Sequence, residues 1–291
     1  MDITIETPHL KAIISTHGAE LKSLKSKETE IEYIWQADPK HWARHAPVLF
    51  PFVGSLKDNQ YTYQGKTYEL PQHGFARDME FKVLEQQEDA ASFILESTPE
   101  TKKVYPFDFK LILTYELGGD GIVVKYRVEN PSSEEMYFSI GGHPAFNVPL
   151  EEGEKFEDYY LEPSPMKSRV ALPLRGRYVD LEQRTLGQTN TNIALTHDLF
   201  KNDALIFETK GLNSFSIRSE NSPHSVTLTY NNMPYVGIWS TYPVASPFVC
   251  IEPWEGIADT HDASGELTEK LGIRQLDAQE VFETKYSITV K

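Results

Sequence analysis

The chain has 291 residues, 40% of them hydrophobic, which is enough apolar material for a large core. Its formal net charge of −15 repels a phosphate backbone, so we expect no nucleic-acid partner, and the single cysteine, Cys250, fits a reducing compartment. Because no apolar run approaches the roughly 18 residues of a membrane span, and the N-terminus lacks a basic region followed by an apolar stretch, we expect a cytoplasmic protein without membrane contact.

Apolar and polar residues alternate along most of the chain, which indicates half-buried β-strands. The strongest pattern is a hairpin, because Phe109–Leu117 and Ile122–Val128 alternate on either side of a glycine-rich turn at Gly118–Gly121. In chain order the other predicted strands are Ala12–Ser15, Gln60–Tyr63, Thr67–Leu70, Ala91–Ser97, Tyr137–Ile140, Ser225–Tyr230, Tyr235–Ser240, Phe248–Glu252 and Tyr286–Val290.

Helical signals are few and short. Asp38 before Pro39 predicts a helix of about two turns through His45, and Ser264–Leu271 predicts a second one that ends at Gly272. Pro163–Pro173 is predicted to be an exposed loop within one domain. Many short strands and almost no helices predict an all-β fold, a large antiparallel sandwich in a single domain over residues 1–291.

Three segments place titratable side chains beside glycines or prolines, where loops can orient them from rigid strand ends: Pro71–Arg77, Gly141–Phe146 and Cys250–Gly256. Taken singly, His73 and His143 are more simply hydrogen-bonded structural residues, and Glu252 before a proline is equally consistent with a solvated strand terminus. Together they match one reaction, the opening of a pyranose hemiacetal, in which a base takes the anomeric proton and an acid protonates the ring oxygen. Histidine suits the acid and a carboxylate suits the base, and no metal or other cofactor is required.

The same segments, His73–Arg77, Gly142–Phe146 and Ile251–Trp254, resemble the aldose 1-epimerase (galactose mutarotase) family, and within it the LacX-like branch. The resemblance spans nearly the whole chain, with supporting segments at Ala46–Gly54 and Phe200–Leu205. It implies a β-supersandwich fold, a carbohydrate site on its concave face, and an aldose mutarotase that works without a cofactor.

The resemblance also implies roles for individual residues. His143 would be the general acid at the ring oxygen, Glu252 the general base at the anomeric hydroxyl, and His73 a ligand of the ring-oxygen side that assists proton transfer. The residues implied or considered for sugar binding are Arg77, Asp203, Trp254 and Trp239, with a core role equally open for the two tryptophans. The partner is expected to be a small sugar, and the protein a monomer or homodimer.

One segment departs from the family pattern. Galactose mutarotases usually carry arginines after the position of Gly54, whereas this chain has Ser55–Asn59, in which Lys57 replaces them only in part because an ammonium lacks the bidentate fork of a guanidinium. The choice of sugar therefore stays open. A hexose-6-phosphate mutarotase and a non-catalytic sugar-binding or sensor protein are the alternatives.

One pair of histidines has the spacing of a metal motif. His41 and His45 are four residues apart on the predicted helix, a spacing that can hold zinc, but no third ligand stands nearby in a zinc pattern. We therefore expect no metal site.

Overall fold

Two large antiparallel sheets form the protein in a computed structural model that describes residues 1–291. The strands, in chain order, are β1 (Asp2–Glu6), β2 (Leu10–Ser15), β3 (Leu21–Ser26), β4 (Val48–Leu49), β5 (Gln60–Tyr63), β6 (Lys66–Glu69), β7 (Lys82–Gln86), β8 (Ala90–Glu96), β9 (Lys110–Gly118), β10 (Gly121–Glu129), β11 (Met136–Phe138), β12 (Ile140–Gly142), β13 (Ala145–Asn147), β14 (Tyr159–Ser164), β15 (Arg169–Ala171), β16 (Leu174–Arg175), β17 (Tyr178–Val179), β18 (Thr185–Gly187), β19 (Ile193–Ala194), β20 (Leu205–Glu208), β21 (Leu212–Ser219), β22 (Val226–Asn231), β23 (Tyr235–Trp239), β24 (Phe248–Glu255), β25 (Arg274–Leu276) and β26 (Val281–Val290).

The nine-stranded sheet has the order β19-β14-β21-β22-β26-β10-β9-β8-β7. The eight-stranded sheet has the order β18-β15-β20-β23-β24-β12-β4, and β13 also pairs with β24. Strands β1–β3 form a separate three-stranded sheet, and three two-stranded sheets complete the set. The all-β antiparallel prediction is confirmed.

Hydrophobic alternation builds the large sheet as the sequence predicts. Along β9 the odd-numbered residues from Leu111 to Leu117 are buried, and β10 pairs with it from Gly121 opposite Gly118. The two large sheets meet at Gly142 of β12, where a Cβ would lie 2.9 Å from the hydroxyl oxygens of Tyr126 and Tyr286. Glycine permits this close approach, so the eight-stranded sheet packs directly on the tyrosines of the nine-stranded sheet at this point.

Helices are short: one α-helix, α1 (Pro99–Val104), and 3-10 turns at Lys57–Asn59, Ala76–Asp78, Phe156–Asp158, Leu181–Gln183, His197–Phe200 and Leu267–Glu269. Helix α1 was not predicted, although Thr98 and Thr101 form a reciprocal cap ahead of Pro99. No helix in the protein has the length and apolarity to cross a membrane.

Three local predictions are wrong. The Asp38 carboxylate accepts from the Lys40 N–H as a helix cap would, but only a single turn follows, because no apolar stripe continues that would hold a helix against the core. The segment Ser264–Leu271 holds only the 3-10 turn at Leu267–Glu269. The predicted loop Pro163–Pro173 contains the end of β14 and the whole of β15, and its Arg169 is buried, with its guanidinium bonded to the Asn213 side-chain oxygen.

Candidate functional site

Strand β24 carries Glu252 into a cavity of about 1090 Å³. Because side chains alternate along a strand, Val249 and Ile251 enter the main core while Cys250, Glu252 and Trp254 share the other face. Glu252 lies in mid-strand and not at the strand end that the sequence indicated, since β24 continues to Glu255. It is 2% exposed, which rules out a solvated strand terminus.

His143 reaches the same cavity from the short link between β12 and β13. Its backbone N–H donates to the Pro47 carbonyl, and its ring stacks on Trp42 with centroids 4.8 Å apart. Trp239 meets the ring edge-on at 5.8 Å. These contacts hold the imidazole in one orientation, with Nδ1 buried and without a hydrogen-bond partner.

The two groups that the sequence pairs are in direct contact, since His143 Nε2 lies 3.1 Å from Glu252 Oε2. Burial, reinforced by the charge of Arg77, lowers the pKa of His143 to about 3. Burial, reinforced by the charge of Asp203, raises the pKa of Glu252 well above its ordinary value. Both shifts favour the uncharged forms, so the pair is set to hold one proton between the two side chains.

His73 lies beside this pair, with its ring centroid 5.6 Å from that of His143 and its side chain at the cavity wall. It occupies the left-handed region with φ of 70°, a sparsely populated conformation for such a residue. Gly74 follows it at φ +69°, where a Cβ would lie 2.3 Å from the Phe50 carbonyl oxygen. The positive φ angles of His73 and Gly74 therefore form the turn that directs this imidazole toward the cavity.

Arg77 and Asp203 also line the cavity and bring opposite charges to it. Arg77 donates from Nη2 to the Gln72 carbonyl oxygen at 2.8 Å, and burial lowers its pKa to about 10, which leaves it cationic at neutral pH. Asp203 has a positive φ of 75°, and its Oδ1 accepts from the Ala204 N–H. Both side chains therefore present charged hydrogen-bonding groups to the cavity.

The two predicted tryptophans line the cavity in different ways. Trp254 is 5% exposed and packs in a small core cluster with Leu49 and Ile257, so most of its ring is part of the hydrophobic core. Trp239 is half-buried against His143. The sequence does not single out Trp42, which lies within the predicted helix, yet its ring stacks on that of His143.

Lys57 is the predicted binding residue that the structure places away from the cavity lining. Its ammonium donates to the Ala263 carbonyl oxygen at 3.1 Å, and its backbone N–H donates to Asp259. The structure therefore shows no contact of Lys57 with the cavity that would support its partial replacement of the family arginines. Two further cationic side chains stand at the cavity wall, Arg177 and Lys201. Lys201 lies in the segment Phe200–Leu205 that supports the family resemblance, whereas no motif singles out Arg177.

One cluster has the donor types of a metal site. Single donor atoms of His143, Cys250 and Glu252 lie within 4.8 Å of one another, and all three residues are buried. Cys250 does not line the cavity, and burial raises the pKa of its thiol well above the ordinary value, which disfavours the thiolate that a metal would need. His41 and His45 contact different partners, Ser246 and Glu20.

The sequence and the fold of this chain are both similar to those of known proteins. The sequence model of one family, aldose 1-epimerase, matches residues 1–272. The LacX protein of Lactococcus lactis subsp. lactis is 33% identical, over all of this chain and 99% of that protein. A galactose mutarotase related enzyme from Lactobacillus acidophilus is 46% identical, with a TM-score of 0.99 over 100% of this chain and 97% of that one. A galactose mutarotase-like protein from Lactobacillus casei is 35% identical, with a TM-score of 0.91 over the whole of both chains.

Proposed function

The chain belongs to the aldose 1-epimerase family of isomerases, and on that premise we propose that it interconverts the α and β anomers of a free hexose by acid–base ring opening. The observation that carries the proposal is the contact of His143 Nε2 with Glu252 Oε2 at 3.1 Å inside one cavity. The anomeric oxygen and the ring oxygen are bonded to the same carbon. An acid and a base that serve these two oxygens must therefore be neighbours, as these two side chains are.

The reaction needs no group beyond the pair. Glu252 takes the proton of the anomeric hydroxyl, the bond from C1 to the ring oxygen breaks, and His143 gives a proton to that oxygen. The product is the open-chain aldehyde, which rotates about C1–C2. On closure at the other face of C1, the ring oxygen gives its proton back to His143, and Glu252 gives its proton back to the anomeric oxygen. A proton on the pair is thus conserved over the cycle.

The resting position of the shared proton follows from burial. Both side chains favour their uncharged forms, so the proton rests on Glu252 and His143 accepts it through Nε2. An anomeric hydroxyl that donates to Glu252 favours the carboxylate, and the proton then crosses the 3.1 Å to His143. Substrate binding in this way converts a neutral pair into the acid and base that the reaction needs.

The remaining groups supply binding. Arg77 and Asp203 give hydroxyls a cationic donor and an anionic acceptor, while Trp239 and Trp42 offer partly exposed aromatic surface to C–H faces of the sugar. Arg44, a cation that could have met a phosphate, is already paired with Asp78 at 2.9 Å. Arg77, Arg177 and Lys201 line the cavity, but the net charge of −15 repels a phosphate dianion and therefore favours a free sugar over a sugar phosphate.

The test is anomer exchange by saturation-transfer NMR or polarimetry on freshly dissolved α-glucose and α-galactose, with the corresponding 6-phosphates in parallel. We expect acceleration on at least one free hexose that exceeds the rate on its 6-phosphate. Faster exchange on a 6-phosphate would reassign the substrate class, and no acceleration on any of the four would overturn the enzyme proposal.

A sugar sensor in the same fold would need the binding groups without a matched acid and base. His143→Ala and Glu252→Ala separate the two, because each should lower turnover by about 10² to 10⁴-fold while sugar affinity stays close to that of the wild type. Binding without turnover in the wild type would favour the sensor.

A further inference from the structure

The two ring nitrogens of His73 both face nitrogen atoms that can donate. The Gly54 backbone N–H points at Nδ1, with 3.1 Å between the nitrogens. The Gln72 side-chain nitrogen lies 3.2 Å from Nε2. A neutral imidazole accepts at one nitrogen and donates at the other, and an imidazolium accepts at neither. The ring nitrogens of His73 therefore cannot both accept, and at one of the two contacts the ring must be the donor.

The Gly54 contact cannot be reversed, because a backbone amide has no other orientation in a fixed chain. The Gln72 contact can be reversed, because a 180° rotation of the side-chain amide exchanges its oxygen and nitrogen while the shape of the group stays almost the same. The consistent network has Nδ1 accepting from Gly54, the proton of His73 on Nε2, and the Gln72 oxygen accepting that proton. The same reasoning excludes the imidazolium, whose Nδ1–H would meet the Gly54 N–H head-on.

The Gly54 amide is held in place from several sides. The Gly54 carbonyl accepts from the His73 backbone N–H at 2.9 Å, so the two residues are doubly joined. Gly54 has φ of +73°, and a Cβ on it would lie 2.5 Å from that of Ala258. The next residue, Ser55, accepts from the Asp259 N–H, and Asp259 is paired with the buried ammonium of Lys270 at 2.7 Å. This buried ion pair anchors the loop that presents the amide.

Charges around the ring act in the same direction. The groups whose charges bear on His73 are His143 across the cavity, Arg77 on the following turn and Arg44 on the segment before β4. Burial lowers the pKa of His73 well below its ordinary value, and these groups, which are cationic or become cationic on protonation, lower it further.

We propose that His73 serves the reaction only as a neutral hydrogen-bond donor, through Nε2–H, to an oxygen of the bound sugar, and that it neither gives nor takes a proton. The Gly54 amide fixes this tautomer, and the Gln72 oxygen holds the donor until sugar replaces it. The inference rests on the proposed function for the identity of the acceptor. It departs from the role in proton transfer that the family resemblance implies for His73.

The tautomer can be measured on the resting protein. Histidine labelled with ¹⁵N, in long-range proton–nitrogen correlation spectra, separates Nε2–H from Nδ1–H rings and both from the imidazolium. His73→Asn identifies the signal by its loss. We expect the Nε2–H pattern to persist unchanged from pH 5 to pH 8. An Nδ1–H pattern, or conversion to the imidazolium in that range, would overturn the proposal, and neither result depends on turnover.

Activity supplies the second arm. Asparagine tolerates the left-handed backbone and can offer its side-chain oxygen to the Gly54 N–H, but it is too short to reach the position of Nε2. We expect His73→Asn to lower kcat/KM by on the order of 10²-fold, as loss of one preorganised donor does, with the shape of the pH–rate profile unchanged. Loss of one limb of that profile would show that His73 transfers a proton. A wild type with the expected tautomer but no turnover would instead reject only the proposed function.

Discussion

Glu252→Gln is the sharpest perturbation of the site, because it keeps shape and polarity and removes only the ability to take a proton. Glu252 is 2% exposed and contacts His143, so the amide fills the same space in β24. General base catalysis contributes about 10² to 10⁴-fold in rate, which corresponds to about 2.7–5.4 kcal/mol in the activation barrier. We expect the anomer exchange rate to fall by that factor in saturation-transfer NMR.

The same strand provides a matched control in Glu255. It is buried but absent from the cavity lining, and its carboxylate is paired with Arg274 at 2.9 Å. We expect Glu255→Gln to leave the exchange rate unchanged. Equal losses in the two variants, or a Glu252→Gln enzyme with wild-type turnover, would refute the base assignment.

The stability of Glu252→Gln tests the electrostatic reasoning separately. Burial raises the pKa of Glu252 in the folded state, so between the unfolded value, near 4.5, and the folded value the native protein holds a proton that the unfolded chain has lost. Stability contributed by this group therefore falls as pH rises through that window. We expect Glu252→Gln to be more stable than the wild type to urea at pH 7, with the difference vanishing below pH 4. A destabilised variant at pH 7 would contradict this.

Three further outcomes are expected. Because burial lowers the pKa of His143 to about 3, the acid limb of the kcat/KM profile should lie well below 6.5, and an inflection at 6.5 on that limb would contradict the account. Lys270→Met should destabilise the protein by about 3–5 kcal/mol in urea titrations, because it leaves Asp259 buried without its ammonium; a loss under about 1 kcal/mol would refute this. Gly54→Ala should lower both melting temperature and turnover, since it strains the positive φ that presents the amide to His73, and normal turnover would weigh against that role.

The strands and the residue types of the site were predictable because both depend on local patterns. Alternation along β9, β10 and β24 fixes which side chains enter the core, and it put Glu252 on the face away from Ile251. His143 stood out because glycines and a proline surround it. These are properties of a few consecutive residues, and a single sequence contains them.

Contacts between distant segments were not predictable in the same way. Trp42 stacks on His143, a hundred residues further along the chain, and nothing near Trp42 signals this. Lys57 stands where the family usually carries arginines, but its ammonium donates to the distant Ala263 carbonyl oxygen and does not line the cavity. The Asp38 carboxylate does accept from the Lys40 N–H, as the sequence predicts for a helix cap. Only one turn forms, because no apolar stripe follows that would hold a helix against the core.

The central claim is that the His143–Glu252 pair acts on the two oxygens of one anomeric carbon. A crystal structure of Glu252→Gln soaked with the hexose that the wild type turns over tests it most directly. We expect the anomeric oxygen within about 2.6–3.2 Å of the residue 252 amide, and the ring oxygen at a similar distance from His143 Nε2. A sugar bound with other hydroxyls against this pair, or held outside the cavity, would contradict the account.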